Sequence, residues 1–276
     1  MARRLLVVAA LAALAWVTVA AARHWWPGGR VDTGEAAAHG ATIVRYEIRS
    51  RFAHRTLRQT AALPPGAPEG RPLLVFLHGR ASRNESNVNG DFLRALASLG
   101  DRAPAVVFPD GGDHSYWHRR RGGDWGRYVL DEVIPRAVRR LHADPRRVAI
   151  GGISMGGFGA FSVARQRPRR FCAVGGHSAA LWMRAGDTAP GAFDDAADFG
   201  RNDLLALARE RGRRPWRGAR LWLDGGTADP FRAAGESFAR SLRIPMRHWR
   251  GGHTGAYWHA RYGTYLRFYA RALAGC

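Results

Sequence analysis

Residues 148–159 read Val-Ala-Ile-Gly-Gly-Ile-Ser-Met-Gly-Gly-Phe-Gly, an apolar run that ends in a Gly-x-Ser-x-Gly motif centred on Ser154. The run predicts a buried strand that turns sharply into a helix at the serine, a turn known as a nucleophile elbow. Gly152 and Gly156 are needed in such a turn because side chains there would clash with the neighbouring backbone. A glycine-rich turn with an incidental serine is the alternative, and the order of residues downstream argues against it.

Two downstream segments place an acid and a base after predicted strands. Residues 217–226 predict a strand that leads into a loop carrying Asp229, and residues 245–252 predict a strand that ends beside His253. The chain order Ser154, Asp229, His253 is that of the catalytic triad in α/β-hydrolases, where acid and base lie in loops at the carboxyl ends of strands. The elbow motif, the order of the three residues and the positions of the two loops therefore agree on one site.

Asp224 is a rival for the role of the acid. It lies at the predicted strand end beside Gly225 and Gly226, whereas Asp229 lies in the following loop, which gives a side chain the reach to a histidine on a neighbouring loop. We therefore favour Asp229 and expect Asp224 to hydrogen-bond its own turn.

Strand and helix patterns alternate along the rest of the chain. Strands are predicted at 41–50, 55–64, 71–77, 104–108 and 172–175, helices near 88–98, at 125–142 with a kink at Pro135, and to about 211 after an irregular stretch at 181–203. The continuous apolar run at 71–77 suits a sheet covered on both faces. The alternation predicts an α/β fold with a mostly parallel central sheet flanked by helices.

Composition bounds the possible classes of function. A chain of 276 residues with 46% hydrophobic residues can bury one substantial core, so one folded domain is expected. The formal net charge is +21, but every basic residue is arginine and the arginines are scattered, so no nucleic-acid partner is expected. The absence of lysine excludes P-loop phosphate binding, Schiff-base chemistry and Ser-Lys dyads.

The first 26 residues differ from the rest. Arg3 and Arg4 precede an uncharged run from Leu5 to Ala22, which is typical of a signal peptide or of an uncleaved N-terminal membrane anchor. Either would place the following chain outside the cytoplasm. We therefore divide the chain into a signal or anchor at 1–26, a linker at 27–40 and a catalytic domain at 41–276, with membrane contact only through that anchor.

From about residue 41 to 273 the chain resembles the secreted putative-esterase branch of the α/β-hydrolases, which includes esterase D-like enzymes, feruloyl esterases and antigen 85 mycolyltransferases. The resemblance rests on four motifs: Leu77-His78-Gly79, Pro109-Asp110-Gly111, Gly152-Ile153-Ser154-Met155-Gly156-Gly157 and Gly251-Gly252-His253-Thr254-Gly255-Ala256-Tyr257-Trp258. It implies a sheet of about eight strands, ester hydrolysis or acyl transfer, and no cofactor.

The residue types in these positions suit covalent catalysis. Ser154 would attack an ester carbonyl, His253 would take its proton and return it to the leaving alcohol, and Asp229 would orient the imidazole. Two backbone N–H groups are expected to bind the oxyanion, that of Met155 and that of Arg80, with Gly79 as the alternative to Arg80.

Other residues carry weaker signals. Tyr116, Trp117 and Trp258 could line a substrate pocket. His114 and His118 are four residues apart, but the glycines and arginines around them predict a loop and no third ligand is evident, so no metal site is expected. Asn84-Glu85-Ser86 fits a glycosylation sequon. Cys172 and Cys276 are too few for a disulfide framework, and whether they pair is left open.

These features favour an exported serine esterase that acts on a small-molecule or cell-envelope ester through an acyl-enzyme intermediate. Two alternatives remain. The first is an acyltransferase of the mycolyltransferase kind, which passes the acyl group to a sugar hydroxyl, and the second is a non-catalytic cell-envelope binding protein on the same fold.

Overall fold

The computed structural model describes residues 31–32, 39–66 and 69–276. The proposed signal or anchor at 1–26, and most of the linker, lie outside the described residues. Along the described ranges, no helix is both long enough and apolar enough to span a bilayer.

The secondary structure follows the predicted alternation. The strands are β1 (Val31–Asp32), β2 (Thr42–Ser50), β3 (Arg55–Leu63), β4 (Leu73–Leu77), β5 (Ala105–Pro109), β6 (Arg119–Arg120), β7 (Gly123–Asp124), β8 (Val148–Ile153), β9 (Ala173–His177), β10 (Arg220–Gly226) and β11 (Met246–Trp249). The α-helices are α1 (Gly90–Ala97), α2 (Trp125–Arg127), α3 (Ile134–Arg140), α4 (Met155–Ala164), α5 (Ala196–Asn202), α6 (Leu204–Arg211), α7 (Arg232–Leu242), α8 (Gly255–His259) and α9 (Tyr262–Ala274). Single 3₁₀ turns lie at Asn84–Asn87, Gly100–Arg102, Ala185–Asp187 and Arg214–Trp216.

The main sheet has nine strands in the order β1-β2-β3-β5-β4-β8-β9-β10-β11, or eight without the two-residue β1. The six strands from β5 to β11 in this order run parallel, and β1 to β3 are joined to them by antiparallel pairing. This confirms the predicted α/β fold with its mostly parallel sheet. The strand order reverses at β4, and in open α/β sheets the crevice at the carboxyl ends of strands beside such a reversal is where ligands bind.

Helices cover both faces of the sheet. One core cluster packs α1 and α9 against the sheet, and the other packs the helices between residues 125 and 164 together with α6 and α7. As a result β4, β5 and β8 are buried at every position. Burial on both faces explains why these strands are continuous apolar runs instead of alternating ones.

The helix predicted at 125–142 is interrupted. It consists of α2, a π-helical segment at Tyr128–Val133, and α3, and the Ile134 N–H donates to the carbonyl of Val129, five residues earlier. Proline lacks an N–H, and a wider π turn just before Pro135 absorbs the irregularity within a continuous helical path. The irregularity therefore lies upstream of the predicted kink.

A disulfide joins Cys172 to Cys276 across 104 residues of sequence, with a Cα–Cα distance of 5.7 Å. Cys172 is buried immediately before β9, a strand with neighbours on both sides, and Cys276 follows α9. The bond therefore ties the end of the last helix to the start of an interior strand of the sheet.

Reduction of this disulfide is expected to lower the free energy of unfolding by about 2–4 kcal/mol, because closing a long loop restricts the unfolded chain. Denaturant unfolding with and without reductant measures the change. Cys276→Ser should reproduce the loss and abolish any further effect of the reductant. An unfolding midpoint that is the same in all three samples would show that the cross-link contributes nothing.

Candidate active site

Ser154 lies in the turn between β8 and α4, as the motif predicts, with φ 57° and ψ −117°. This backbone conformation is unfavourable for a residue with a side chain, and surrounding hydrogen bonds hold it in place. The Ser154 N–H donates to the carbonyl of His177 at 2.9 Å, and the Ser154 carbonyl accepts from the N–H of Ala180 at 3.0 Å. A Cβ added at Gly152 would lie 2.6 Å from the Leu77 carbonyl oxygen, so the turn requires glycine there.

The structure brings Ser154, His253 and Asp229 into one hydrogen-bonded chain. Nε2 of His253 lies 2.8 Å from the Ser154 hydroxyl, and Nδ1 of His253 lies 3.1 Å from Oδ2 of Asp229. The Asp229 side chain is 1% exposed and that of His253 is 22% exposed. The imidazole is therefore partly exposed to solvent, whereas the carboxylate that it contacts is buried.

Two opposing effects act on Asp229. Burial raises the pKa of its carboxyl group, but hydrogen bonds from His253 and from the Phe231 N–H outweigh burial and hold that pKa below its ordinary value. The Phe231 N–H donates to the other carboxylate oxygen at 2.9 Å. Asp229 is therefore an anion that is fixed at both oxygens.

Backbone hydrogen bonds couple the loop of the acid to the loop of the base. The Thr227 N–H donates to the carbonyl of Trp249, and the Ala228 N–H donates to the carbonyl of Gly251, each at 2.9 Å. After His253, the Thr254 side chain accepts from the Tyr257 N–H and begins α8. These contacts fix the relative position of the two loops, which follow adjacent parallel strands.

Asp224 does not reach His253. Its carboxylate is fully buried and accepts hydrogen bonds from His177 Nδ1 (2.7 Å), Trp222 Nε1 (2.7 Å), the Tyr265 hydroxyl (2.8 Å) and the Tyr257 hydroxyl (3.2 Å). The expectation that its side chain bonds its own turn is therefore wrong. Burial, together with the nearby Asp224 charge, raises the pKa of the Tyr265 hydroxyl, which keeps it protonated as a donor.

The two segments that carry the expected oxyanion donors lie next to Ser154. Met155 is the first residue of α4, and N–H groups in the first turn of a helix have no partner within it. On the other side, a Cβ added at Gly79 would lie 3.5 Å from the Ser154 Cβ, so the chain that leads into Arg80 passes along the nucleophile. His78 holds this chain by donating from Nδ1 to the Gly79 carbonyl (2.8 Å) and accepting at Nε2 from the Gly111 N–H (2.9 Å).

Burial lowers the pKa of His78, which keeps its ring neutral as this pattern requires. His78 therefore shapes the loop, and its side chain is fully buried.

The predicted substrate-contacting aromatic residues separate into two groups. Trp117 is fully buried against Gly111 and Gly159, and Tyr116 is 2% exposed, so the prediction that they contact substrate is wrong. Their glycine-rich surroundings leave room for rings to pack inward. The Trp258 ring lies 5.0 Å from that of His253 and perpendicular to it, so Trp258 borders the triad and its contact with substrate stays a prediction.

Phe231 is a residue that the sequence reasoning missed. Its ring lies 5.0 Å from the His253 ring, and the Trp258 ring lies at the same distance, so two aromatic side chains contact the imidazole. Its position two residues after Asp229 was the available signal, because residues next to a triad acid lie close to the base.

The remaining sequence candidates serve the fold. The two ring nitrogens of His118 face the carbonyls of Arg119 and Ala192, and the part of the chain that the structure describes holds no cluster of three or more side chains suited to a metal. Asn84, in the glycosylation sequon, is 7% exposed and donates to the Thr60 hydroxyl at 2.9 Å. Its amide is therefore already engaged.

Most of the chain matches one known protein family. Residues 53–265 match the family described as "Putative esterase". A comparison with curated proteins yields no match.

Several solved structures share the fold. A ferulic acid esterase superposes with a TM-score of 0.74 at 22% identity, covering 84% of this chain and 99% of that one. An S-formylglutathione hydrolase from Agrobacterium tumefaciens gives 0.71 at 20% identity, covering 90% of this chain and 99% of its own. MPT51 of Mycobacterium tuberculosis gives 0.63 at 17% identity, covering 83% and 97% of the two chains.

Proposed function

This chain belongs to the esterase family of carboxylic ester hydrolases, and on that premise we propose that it is an exported serine esterase that acts through Ser154, His253 and Asp229. The observation that carries the proposal is the hydrogen-bonded chain from the Ser154 hydroxyl through the imidazole to the Asp229 carboxylate, with distances of 2.8 and 3.1 Å. A hydroxyl, an imidazole and a carboxylate that are hydrogen-bonded in this order activate the serine for attack on an ester.

The reaction proceeds in two steps. Ser154 Oγ bonds to the ester carbonyl carbon as its proton passes to His253 Nε2, and the imidazolium then protonates the leaving alcohol to give the acyl-enzyme. Water, activated by the same imidazole, releases the acid and restores Ser154. The ionised Asp229 stabilises the imidazolium in both steps.

The oxyanion that forms in each step binds to the N–H groups of Met155 and Arg80. The helix N-terminus that begins at Met155 adds a favourable dipole. The alternative second donor is the N–H of Gly79, which belongs to the same segment. Loss of one such donor typically raises the barrier by about 3 kcal/mol.

Two observations support export. The basic residues and apolar run within 1–26 are typical of a signal peptide or N-terminal anchor, which the linker at 27–40 joins to the catalytic domain at 41–276. The Cys172–Cys276 disulfide suits an oxidising compartment, because disulfides are rare in the cytosol. A substrate outside the cytoplasm, as a small ester or an ester of the cell envelope, fits both.

The rate of ester hydrolysis is expected to rise with pH through neutrality, because only a neutral imidazole can accept the Ser154 proton. The pKa of Asp229 lies below its ordinary value, so the carboxylate is already ionised over this range and contributes no step. The measurement is kcat/KM for p-nitrophenyl acetate between about pH 5 and 8. A flat profile would contradict His253 as the base.

The same assay with an added sugar acceptor separates hydrolysis from acyl transfer. Acetate as the acyl product supports the proposal, whereas acetylated sugar as the main product would assign the transferase reaction. Absence of p-nitrophenol release would favour a binding protein.

A further inference from the structure

An arginine-rich groove of about 810 Å³ lies on the surface of the domain away from Ser154. Five arginines and one acidic residue are among the side chains that line it: Arg165, Arg201, Arg211, Arg214, Arg217 and Glu210. We call it the arginine groove. Neither the triad nor the loops around it contribute to its lining.

The arginine groove lies at the opposite edge of the sheet from the candidate active site. Helix α4 begins next to Ser154 and ends at Ala164, and its ten residues span about 15 Å before Arg165 enters the groove. Arg217 lies just before β10 begins, and its carbonyl accepts from the Arg169 N–H shortly before β9. The groove therefore faces the amino-terminal ends of the parallel strands.

The protein balances only part of the positive charge in the groove. Glu210 pairs with Arg211 at 3.1 Å, and Asp198 lies 3.4 Å from Arg201. Helices α4 and α6 both end here, and each helix C-terminus contributes about half a negative charge. When these negative contributions are included, the groove keeps a net positive charge of roughly two.

Three of the guanidinium groups lack an acidic partner. Arg165 donates to the Arg201 carbonyl at 3.2 Å and to the Asn202 side-chain oxygen at 2.7 Å, both neutral acceptors. Burial lowers the pKa of Arg165, which reflects the cost of holding its charge there. Arg214 and Arg217 are exposed, and within the described ranges neither lies within ion-pair distance of a carboxylate. An anion in the groove would therefore contact guanidinium groups that have no carboxylate partner among the described residues.

We propose that the arginine groove binds a phosphate-bearing dianion. Guanidinium groups present paired N–H donors that match phosphate oxygens, and several arginines converging on one concave site are suited to that chemistry. The residual charge of roughly two matches one phosphate monoester or diphosphate group. Such a group is carried either by a soluble phosphorylated compound or by a lipid headgroup, and the groove recognises the phosphate in both.

Isothermal titration of the full chain with inorganic pyrophosphate at low ionic strength tests the proposal. Wild type is expected to bind one equivalent, and Arg214→Gln/Arg217→Gln is expected to lower the affinity at least about tenfold. The control is Arg49→Gln/Arg58→Gln, which removes the same charge from exposed positions on the β2–β3 hairpin and should bind as wild type does. All variants should hydrolyse p-nitrophenyl acetate equally. The titration measures binding without any hydrolysis, so failure of the esterase proposal would leave this test intact.

Vesicles with and without phosphatidic acid, a lipid whose headgroup is a phosphate monoester, distinguish the two sources of phosphate. Binding to anionic vesicles that pyrophosphate displaces and the groove variant loses assigns a lipid headgroup, and equal vesicle binding by the groove variant alongside its weaker pyrophosphate binding assigns a soluble phosphate. No pyrophosphate binding by wild type, or equal losses in the groove and control variants, would overturn the proposal. Tight binding of an oligonucleotide without pyrophosphate binding would also overturn it, in favour of a nucleic-acid surface.

Discussion

Replacing Ser154 with alanine is expected to lower kcat for ester hydrolysis by about 10⁴- to 10⁶-fold. The substitution removes the hydroxyl that lies 2.8 Å from the imidazole and that we propose forms the acyl-enzyme, and it leaves a void the size of one hydroxyl. The variant should therefore fold normally and should not be labelled by a fluorophosphonate. Hydrolysis of p-nitrophenyl acetate and labelling of the intact protein measure both effects.

Ser162→Ala is the matched control for this experiment. Ser162 lies in α4, the helix that begins after Ser154, and its buried hydroxyl has no hydrogen-bond partner in the structure. Its loss should leave both hydrolysis and labelling unchanged. Full labelling of Ser154→Ala would place the nucleophile elsewhere, and equal losses in the two variants would show that the effect is structural.

Replacing Asp229 with asparagine is expected to lower kcat by about 10⁴-fold with little change in KM. The asparagine amide can present an N–H to His253 Nδ1, which favours the imidazole tautomer whose proton is on Nε2. That tautomer cannot accept the Ser154 proton. Steady-state kinetics on one chromogenic ester, with thermal unfolding to verify the fold, measures the change.

Asp224→Asn is expected to act on stability instead. The Asp224 carboxylate accepts four hydrogen bonds from donors on β9, β10, α8 and α9, and an amide in its place would turn an N–H toward one of them. A donor left unsatisfied in this buried site costs about 1–3 kcal/mol of unfolding free energy. If Asp224→Asn abolishes turnover while Asp229→Asn keeps it, the acid has been assigned to the wrong residue.

The sequence supported the placement of the elbow because its signal is local. An apolar strand, a serine and glycines at 152 and 156 must fall within a few residues of one another, and the structure explains the glycines through their distance to the β4 backbone. The loops of Asp229 and His253 could be placed for a related reason. Parallel strands bring their carboxyl ends to one edge, so residues far apart in the chain converge there.

Features that depend on packing in three dimensions were harder to predict from the sequence. Whether a ring such as Trp117 turns toward substrate or into the core depends on space left by glycines on other elements, here Gly111 and Gly159. The donors gathered around Asp224 come from four separate elements, so no short window of sequence reports them. The pairing of Cys172 with Cys276 spans 104 residues and has no local pattern either.

The disulfide also divides the triad between two parts of the chain. Asp229 and His253 lie inside the covalent loop that Cys172 and Cys276 close, whereas Ser154 lies outside it. Proteases cut preferentially in exposed connecting segments, such as the irregular stretch before α5. A cut there, or at any point between the two cysteines, leaves both fragments covalently joined. In the exported enzyme that we propose, the acid and base would therefore stay attached to their nucleophile after a cut by an extracellular protease.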